Sequence, residues 1–384
     1  MIRTLFEAIC LVPVIGGSIY AILSLISVIW LKATAAPSSR PNSVPWPPVT
    51  ILKPVCGLEK NLSENLRSAC VQDYPEYQVV FSVQIPDDPA LPLLKELQRE
   101  FGAQKVSIAA DGQQTAPNGK IKNLLVGLPH ARYDVLVISD SDVLLRPDYL
   151  KAIVAPLEDP EVGYVCTLYK ASRAGTWFEK LELLTINADV MSNIVFAHVS
   201  GVSKVCLGAS TALYRSTLKD IGGLEALGDY LVEDYEMGQR ILKTGKKNAI
   251  VFHLVDTIVD LKTVRQWWTH QLYWDLNIRV VRPAAFFGTV VIRATPFALM
   301  FAALRLDLLG LVVMGGAVMI RVATAAGILG WGFRDWEGIK SSALLPMRDV
   351  AGLVSWFLAF TKRTVIWRGV EFILHRDGRM VRRP

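Results

Sequence analysis

The sequence predicts an α/β domain with a mostly parallel sheet, held at a membrane by an apolar N-terminal helix and by apolar C-terminal segments. Three observations lead to this prediction. The 384 residues are 52% hydrophobic and 20% charged, with a mean hydropathy of +0.33, which is more apolar than an average soluble domain. The uncharged stretches lie at the two ends. Between them, short β-rich runs alternate with helical patterns, as in βαβ units.

The composition also excludes several classes of protein. Disordered chains need low hydrophobicity and high net charge, which this chain does not have. No nucleic-acid-binding motif is present, and the net charge of +6 comes from basic residues that flank apolar segments or lie near the C-terminus, which indicates a juxtamembrane role. The cysteines are scattered without a C-x-x-C pair, so a reducing compartment fits better than a disulfide framework or a zinc site.

The N-terminal element is predicted to be a transmembrane anchor over residues 1–32. No charged residue occurs from Ala8 to Leu31, a stretch that at ~1.5 Å per residue spans ~30 Å of hydrocarbon. A cleaved signal peptide is the alternative, and Thr34–Pro37 matches its cleavage site only weakly. The Pro- and Ser-rich residues 33–48 then predict a linker.

Residues 49–283 form the predicted globular domain. Strands are expected at Val49–Lys53, Tyr77–Gln84, Lys105–Ala109, Asp134–Ser139, Gly163–Leu168 and Asn248–His253. Helices are expected at Asn61–Val71, Ala90–Phe101, Ile121–Leu128 and Tyr149–Leu157. The amphipathic stretch Trp177–Val199 predicts a helix that either lies at the membrane and guides a lipid or packs on the core.

Residues 284–361 turn apolar again, in three segments that charged residues interrupt. The segments are Ala284–Leu304, Leu308–Phe333 and Ala343–Phe360. The positive-inside rule places both the domain and the basic tail, 362–384, in the cytoplasm. This requires the first two segments to form a hairpin and the third to lie in the interface. Three full crossings, with the tail outside, are the alternative.

The element with the clearest chemistry is Asp140-Ser-Asp142, which directly follows a predicted buried strand. In open α/β sheets, ligands bind beyond the carboxyl ends of the strands. Two carboxylates there suit Mg²⁺ or Mn²⁺, which can bridge a diphosphate and neutralise its charge as it leaves. A strand followed by an ordinary acidic turn is the alternative interpretation.

Four further motifs each have an ordinary structural explanation as well. Asp87-Asp88 follows a predicted strand in a turn, and Glu233-Asp234 begins a helix, where carboxylates also serve as caps. The stretch Asn118–Leu124 begins a helix with a Gly-Lys pair suited to phosphate. The aromatic run Gln266–Trp274 precedes the membrane segments, where an interfacial belt of Trp and Tyr is also expected.

The order of these motifs resembles that of the inverting, membrane-bound GT-A glycosyltransferases, whose signature is D, D, D, (Q/R)-x-x-R-W. The likeness is strongest to the ceramide glucosyltransferase family and its bacterial relatives that act on hopanoid lipids, and it extends over essentially the whole chain. It is carried by Leu52–Gly57, Asp73–Pro75, Val83–Ala90, Asn118–Leu124, Asp140–Asp142, Glu233–Tyr235 and His270–Trp274.

The resemblance implies a GT-A (Rossmann-like) domain and a role for each matching residue. It places Asp88 near the nucleotide base or ribose, Lys120 and Asn123 on the nucleotide, Asp140 and Asp142 on metal and diphosphate, Asp234 as general base, and His270 and Trp274 at the (Q/R) and final W positions. Two residues depart from the pattern. Tyr273 stands at the signature arginine, for which Arg279 or Arg282 is a possible substitute, and Ile85 stands where relatives often have an acid.

The function that the resemblance implies is metal-dependent transfer of a hexose from a UDP-sugar to a membrane-lipid hydroxyl, as in UDP-glucose to ceramide. The alternatives are another UDP-sugar, such as UDP-N-acetylglucosamine, and a hopanoid or diacylglycerol acceptor. A processive polysaccharide synthase, a polyprenyl-phosphate sugar synthase and a non-catalytic nucleotide- and lipid-binding protein are rivals. The implied location is a bacterial inner membrane or a Golgi-type membrane, with a cytoplasmic catalytic domain and no nucleic-acid partner.

Overall fold

The computed structural model describes residues 2–35, 45–113, 115–367, 370–375 and 377–383. Most of the predicted linker, residues 36–44, lies outside the described residues. The N-terminal helix α1 (Ile2–Thr34) is longer than the uncharged stretch and contains Pro13. Large apolar side chains along its length are exposed, among them Ile15 at 57% and Ile26 at 53%, as expected for a helix that faces lipid.

The first half of the globular domain alternates strands and helices, as the sequence predicts. Its elements are β1 (Val49–Pro54), α2 (Leu62–Cys70), β2 (Tyr77–Val83), α3 (Leu91–Phe101), β3 (Val106–Ala110), α4 (Gly119–Gly127), β4 (Val135–Ser139), β5 (Val143–Leu144), α5 (Tyr149–Val154) and β6 (Val162–Ser172).

The second half of the domain contains more helix. Its elements are α6 (Trp177–Leu184), a π-helical stretch (Thr185–Val190), α7 (Met191–Val199), β7 (Ser210–Tyr214), α8 (Arg215–Asp220), α9 (Glu233–Lys243), β8 (Lys247–Ile258) and α10 (Val264–Val281).

These strands form one sheet in the order β3-β2-β1-β4-β7-β6-β8-β5. The pairs on the β3–β4 side are parallel and their strands are largely buried, since helices cover both faces of such a sheet. The sheet becomes mixed where β7 pairs antiparallel with both β4 and β6. The predicted α/β class is therefore confirmed: among the described strands of this sheet, four pairings are parallel and three are antiparallel.

The amphipathic stretch Trp177–Val199 packs on both the domain and the membrane helices. Phe178 and Leu181 lie against Trp267 of α10. On the other side, the Tyr20 hydroxyl of α1 donates to Asn193 Oδ1 at 2.9 Å. Packing therefore accounts for the apolar face of this stretch.

The C-terminal apolar region folds into α11 (Pro283–Gly288), α12 (Ala294–Arg305), α13 (Leu308–Gly327), α14 (Trp336–Ser341) and α15 (Leu345–Ala359). Within the described part of the chain, two helical stretches are long and apolar enough to cross a membrane, Ile2–Thr34 and Leu308–Gly332. The pair Pro283–Ile292 and Ala294–Arg305, bent by 49° at Arg293, makes a third if it acts as one span.

The predicted basic tail contains three strands, β9 (Thr364–Trp367), β10 (Val370–Leu374) and β11 (Met380–Arg382), which form an antiparallel sheet. This small sheet packs on Leu231 and on Leu276 of α10. The Met380 N–H donates to the Asp229 carbonyl at 2.8 Å, so the sheet supports the segment that leads into α9.

Candidate functional site

The candidate site lies at the carboxyl end of β4, where three other segments meet it. Because β7 runs antiparallel to β4 with Ser210 opposite Ser139, the turn before β7 lies beside Asp140. The Asp140 N–H donates to the Ala209 carbonyl of this turn at 3.0 Å. The N-termini of α4 and α9 complete the site.

The N-terminus of α4 is anchored by Asn118. Its side-chain oxygen accepts from the backbone N–H groups of Lys120 and Ile121 at 2.9 and 3.0 Å, which is the usual asparagine N-cap. Its amide nitrogen donates to the Tyr230 carbonyl at 2.9 Å and to Glu233 Oε2 at 3.0 Å. One side chain therefore fixes the start of α4 against the start of α9.

Lys120 is the central cation of the site. Its Nζ lies 2.7 Å from Asp140 Oδ1 and 3.4 Å from Glu233 Oε1, and it donates to the Gly208 carbonyl at 2.8 Å. Burial by itself would lower the pKa of Lys120, but the surrounding carboxylates outweigh it and hold this pKa well above its usual value. Lys120 is therefore a permanent positive charge at the end of β4.

Asp234 is a partly buried carboxylate with the properties of a general base. Burial and the adjacent Glu233 raise its pKa to about 7, and Lys120 offsets part of this increase. Its Oδ1 accepts from the Tyr235 N–H at 2.7 Å. The other oxygen, Oδ2, would lie only 2.8 Å from a β-carbon at Gly208. A base works best with a pKa near the working pH, which this environment provides.

Asp142 lies in the field of a buried lysine. Lys53 in β1 is fully buried and donates from Nζ to the carbonyls of Asp140 and Val143 at 2.6 and 3.0 Å. Burial lowers the pKa of Lys53 to about 8, although the carboxylates of Asp142 and Asp140 favour its charged form. Burial, Asp140 and Glu59 raise the pKa of Asp142 to about 7.

The donor chemistry at Asp140 and Asp142 fits a divalent cation shared with a substrate. In the described part of the chain, no group of three or more His, Cys, Asp or Glu side chains forms a complete metal cage. Mg²⁺ commonly binds one or two carboxylates together with substrate phosphates, so two aspartates are a sufficient protein contribution. Burial first, and then the neighbouring carboxylates Asp140 and Glu59, raise the pKa of Asp142, and Lys53 and Lys120 offset only part of this increase.

Asp88 and Asn123 lie together at the loop after β1. Both Asp88 oxygens accept from the Gly57 N–H, at 3.0 and 3.1 Å, and Asn123 Nδ2 donates to the Val55 carbonyl at 2.7 Å. Both side chains are almost fully buried. In this structure they shape the loop, and their contact with a nucleotide stays a prediction.

His270 on α10 is held by Glu182, a buried residue of α6. Its Nδ1 is hydrogen-bonded to Glu182 Oε1 at 2.7 Å, and Gln271 donates to Glu182 Oε2 at 2.6 Å. Burial alone would lower the pKa of His270, but the Glu182 carboxylate raises it above the usual value, and Asp142 adds to the effect. The His270 ring is parallel to that of Tyr273 at 6.1 Å and perpendicular to that of Trp274 at 5.8 Å.

The two residues that depart from the signature are accommodated differently. Tyr273 packs beside Leu231 and Val232, just before α9, and burial raises its pKa to about 12. Arg279, considered as a substitute cation, donates to the Lys362 carbonyl at 2.6 Å, at the start of the C-terminal sheet. The cation that contacts Asp140 is instead Lys120. Ile85 lies exposed in the turn after β2.

Several residues of the site were not assigned a role from sequence: Lys53, Glu59, Glu182 and Gly208. One of them had a usable signal, because a lysine inside an otherwise apolar predicted strand indicates a buried charge with a partner. Glu59 and Glu182 had none. Glu59 accepts from Ser141, and Glu182 is hydrogen-bonded to His270. The two residues of each pair are far apart in the sequence and meet only in the folded protein.

Comparisons with known proteins place the chain in a family. Residues 11–380 match the model of Glycosyl transferase family 21. The chain is 29% identical over 212 residues to Ceramide glucosyltransferase 1 of Caenorhabditis elegans. The aligned region covers 54% of this chain and 44% of that protein. It is 34% identical over 121 residues to the ceramide glucosyltransferase of Candida albicans, covering 28% and 22%. The matched region thus spans less than half the length of these curated relatives.

The fold has a solved counterpart in the mannosyltransferase PcManGT from Pyrobaculum calidifontis, determined in complex with GDP-Man and Mn²⁺. The TM-score is 0.54 at 18% sequence identity, over 92% of this chain and 99% of that one. This likeness supports the GT-A glycosyltransferase fold. The family match covers nearly the whole chain, and we conclude that the protein belongs to glycosyl transferase family 21.

Proposed function

We propose that this protein is an inverting, membrane-bound glycosyltransferase that moves a hexose from a UDP-sugar to the hydroxyl of a membrane lipid. Glucose transfer from UDP-glucose to ceramide is the reaction favoured by the names of its relatives. The observation that carries the proposal is Asp234, whose pKa is raised to about 7 beside the Lys120–Asp140 ion pair. A base near neutrality and a fixed cation are what an activated hydroxyl and a leaving diphosphate require.

The proposed reaction is a single displacement at the anomeric carbon of the sugar. Asp234 accepts the proton of the lipid hydroxyl while that oxygen bonds to the anomeric carbon. The bond from this carbon to the diphosphate oxygen breaks, and its electron pair leaves with UDP. Because one displacement inverts the configuration, an α-linked donor gives a β-glycoside.

Charge around the leaving group is the second requirement. Asp140 and Asp142 would hold Mg²⁺ or Mn²⁺. When bound there, the cation would neutralise the negative charge of the diphosphate. Lys53 holds the backbone carbonyl of Asp140, and Lys120 holds its carboxylate, in the absence of a ligand. Asp88, Lys120, Asn123, His270 and Trp274 are proposed to form the donor site, as the resemblance implies.

The membrane arrangement supports a lipid acceptor. The helix α1 and the stretch Leu308–Gly332 are each long and apolar enough to cross a bilayer, and the last turn of α1 contains Lys32. The positive-inside rule then favours a cytoplasmic catalytic domain over residues 49–283 of a multi-pass membrane protein.

The test is sugar transfer by the full-length protein in liposomes with Mg²⁺ or Mn²⁺. UDP-glucose, UDP-N-acetylglucosamine and UDP-galactose would each be offered with ceramide, diacylglycerol and a hopanoid polyol. A glycolipid product is expected, and Asp234→Asn should lower turnover by roughly 10²–10⁴-fold while sparing UDP binding. The matched control is Asp220→Asn, because Asp220 is exposed at the end of α8.

Two outcomes would contradict the proposal. Near-wild-type turnover in Asp234→Asn would remove this residue from the role of base. UDP binding by the wild-type protein without product for any donor and acceptor would instead favour a non-catalytic nucleotide-binding relative.

A further inference from the structure

The helix α9, which carries the proposed base, begins without a cap of its own. Its N-cap residue is Val232, whose side chain makes no capping hydrogen bond. Valine is a poor N-cap because it offers no acceptor to the free N–H groups of the first turn. Glu233 and Asp234 lie in this turn. Their position therefore depends on what holds the segment before the helix, residues 229–232, which we call the entry segment.

The first contacts of the entry segment are with α4, the helix that carries Lys120. Asn118 Nδ2 donates to the Tyr230 carbonyl at 2.9 Å and to Glu233 Oε2 at 3.0 Å. The Asn118 N–H donates to the Gly228 carbonyl, just before the segment, at 2.9 Å. These bonds tie the entry segment to the proposed donor site.

The second set of contacts comes from the C-terminal sheet. The Leu231 N–H donates to the Gly378 carbonyl at 3.2 Å, and the Met380 N–H donates to the Asp229 carbonyl at 2.8 Å. The entry segment thus lies beside β11 as an added strand would. Leu231 is only 2% exposed. It packs with apolar side chains from all three strands of the sheet: Val365, Phe372, Leu374 and Met380.

Tyr230 joins the C-terminal sheet to α9 directly. Its backbone forms an antiparallel bridge with Arg379, at the start of β11. The centre of its ring lies 5.7 Å from the guanidinium carbon of Arg379 and 5.3 Å from that of Arg240 in α9. Both distances are within the range of a cation–π contact. Hydrogen bonding to Tyr230 also raises the pKa of Arg379 above its usual value. One aromatic ring therefore contacts a cation of the sheet and a cation of the helix.

We propose that the C-terminal sheet positions the proposed base, and that Tyr230 and Arg379 are the positioning residues through which it acts. The inference rests on the proposed function. With α4 and the sheet both bound to the entry segment, the first turn of α9 has a fixed place beside Lys120. Without the contact between the ring and Arg379, this turn can move, and a small displacement of a base from the reacting hydroxyl is costly in rate.

The experiment compares full-length variants in nanodiscs. Tyr230→Ala removes the ring, and Arg379→Ala removes the cation at the start of β11. Tyr230 is half-buried and Arg379 is exposed, so both variants should fold, which their Tm would establish. Arg379→Lys keeps a cation near the ring and tests for rescue. Arg382→Ala is the matched control, because Arg382 is exposed within β11.

Hydrogen–deuterium exchange measures the contact independently of catalysis. The Leu231 amide, which donates to the sheet, should exchange about tenfold faster in Tyr230→Ala and Arg379→Ala than in the wild type. In Arg379→Lys and Arg382→Ala its exchange should stay near the wild-type rate.

Sugar transfer measures the consequence for turnover. The rate is divided by the number of UDP sites found by titration, so that an unfolded fraction does not count as lost turnover. In both alanine variants of the positioning residues, kcat per UDP site should fall about tenfold, with the Kd for UDP and the KM for the UDP-sugar unchanged. Arg379→Lys should recover most of this loss, and Arg382→Ala should show none.

The outcomes separate the two proposals. Wild-type kcat per UDP site in both alanine variants would overturn the positioning role and leave the proposed function standing. An equal loss in Arg382→Ala would also overturn it, because the effect would then belong to the sheet as a whole. If the wild-type protein made no glycolipid while the exchange difference remained, the proposed function would fail, and the catalytic meaning of the contact would fail with it.

Discussion

The Nζ of Lys120 lies 2.7 Å from Asp140 Oδ1, and this ion pair joins the start of α4 to the end of β4. The same ammonium group is 3.4 Å from Glu233 Oε1 at the start of α9. One cation thus connects a proposed metal ligand with the helix that carries the proposed base. It also lowers the pKa of Asp234, which burial and Glu233 raise.

Replacing this cation is expected to change the pH dependence of transfer as well as its rate. In Lys120→Met, Asp234 loses the charge that favours its ionised form, so its pKa should rise by roughly one unit or more. The acidic limb of the kcat–pH profile should therefore move to higher pH. Lys122→Met, on the same helix, is the control. An unmoved limb would show that Lys120 does not act on the base.

The wild-type rate should itself depend on pH near neutrality. Only ionised Asp234 accepts a proton, so kcat should be high above its pKa of about 7 and decline below it. Between pH 8 and pH 6 we expect a decrease of about tenfold, measured at saturating substrates and divalent cation. A rate that is constant over this interval would contradict the assignment of Asp234 as base.

Removing the carboxylate of Asp142 should affect binding as well as turnover. Asp142→Asn keeps the shape of the side chain but removes one of the two proposed metal ligands, so UDP binding should lose most of its dependence on Mn²⁺. Isothermal titration with and without Mn²⁺ would measure this change. Asp134→Asn, at the exposed opposite end of β4, is the matched control. Equal Mn²⁺ dependence in both variants would argue against a metal at Asp142.

The glycine beside the proposed base should tolerate no side chain. In Gly208→Ala, the new methyl carbon would lie 2.8 Å from Asp234 Oδ2 and 3.3 Å from Lys120 Nζ, so the carboxylate has to move. Small displacements of catalytic groups are costly, and kcat should decrease by about 10-fold to 100-fold with little change in Tm. Gly112→Ala is the control, since no neighbouring atom lies closer than 3.8 Å to its new carbon. Wild-type kcat in Gly208→Ala would mean that Asp234 is not constrained as the structure indicates.

Local patterns predicted much of the architecture. Buried apolar runs such as Val135–Ser139 and the uncharged length of α1 are readable from sequence because burial and bilayer thickness impose them directly. The short strand β7 was not predicted, since Ser210–Tyr214 has neither a long apolar run nor strict alternation. The strands of the C-terminal sheet were also not predicted, because the many basic residues of this region led to its interpretation as a tail.

Motif residues were also predicted one by one, but their partners were not. Asp140 was recognised beside its strand, whereas its contact with Lys120 depends on the order of β1, β4 and β7 in the sheet. Asp88 was also recognised from its motif, but its contacts in the structure differ from the predicted role. Its carboxylate accepts from the Gly57 N–H and stabilises a loop, which no spacing rule indicates.

The sequence alone therefore determined the α/β class, the apolar anchor, the acidic motifs and the resemblance to a glycosyltransferase family. These properties are expressed in short stretches of chain, through hydrophobic periodicity and adjacent residue types. Only the tertiary structure decided that Lys120 neutralises Asp140 and that Glu182 holds His270. Such relationships join residues far apart in the chain, and they arise only when the sheet and the membrane helices pack together.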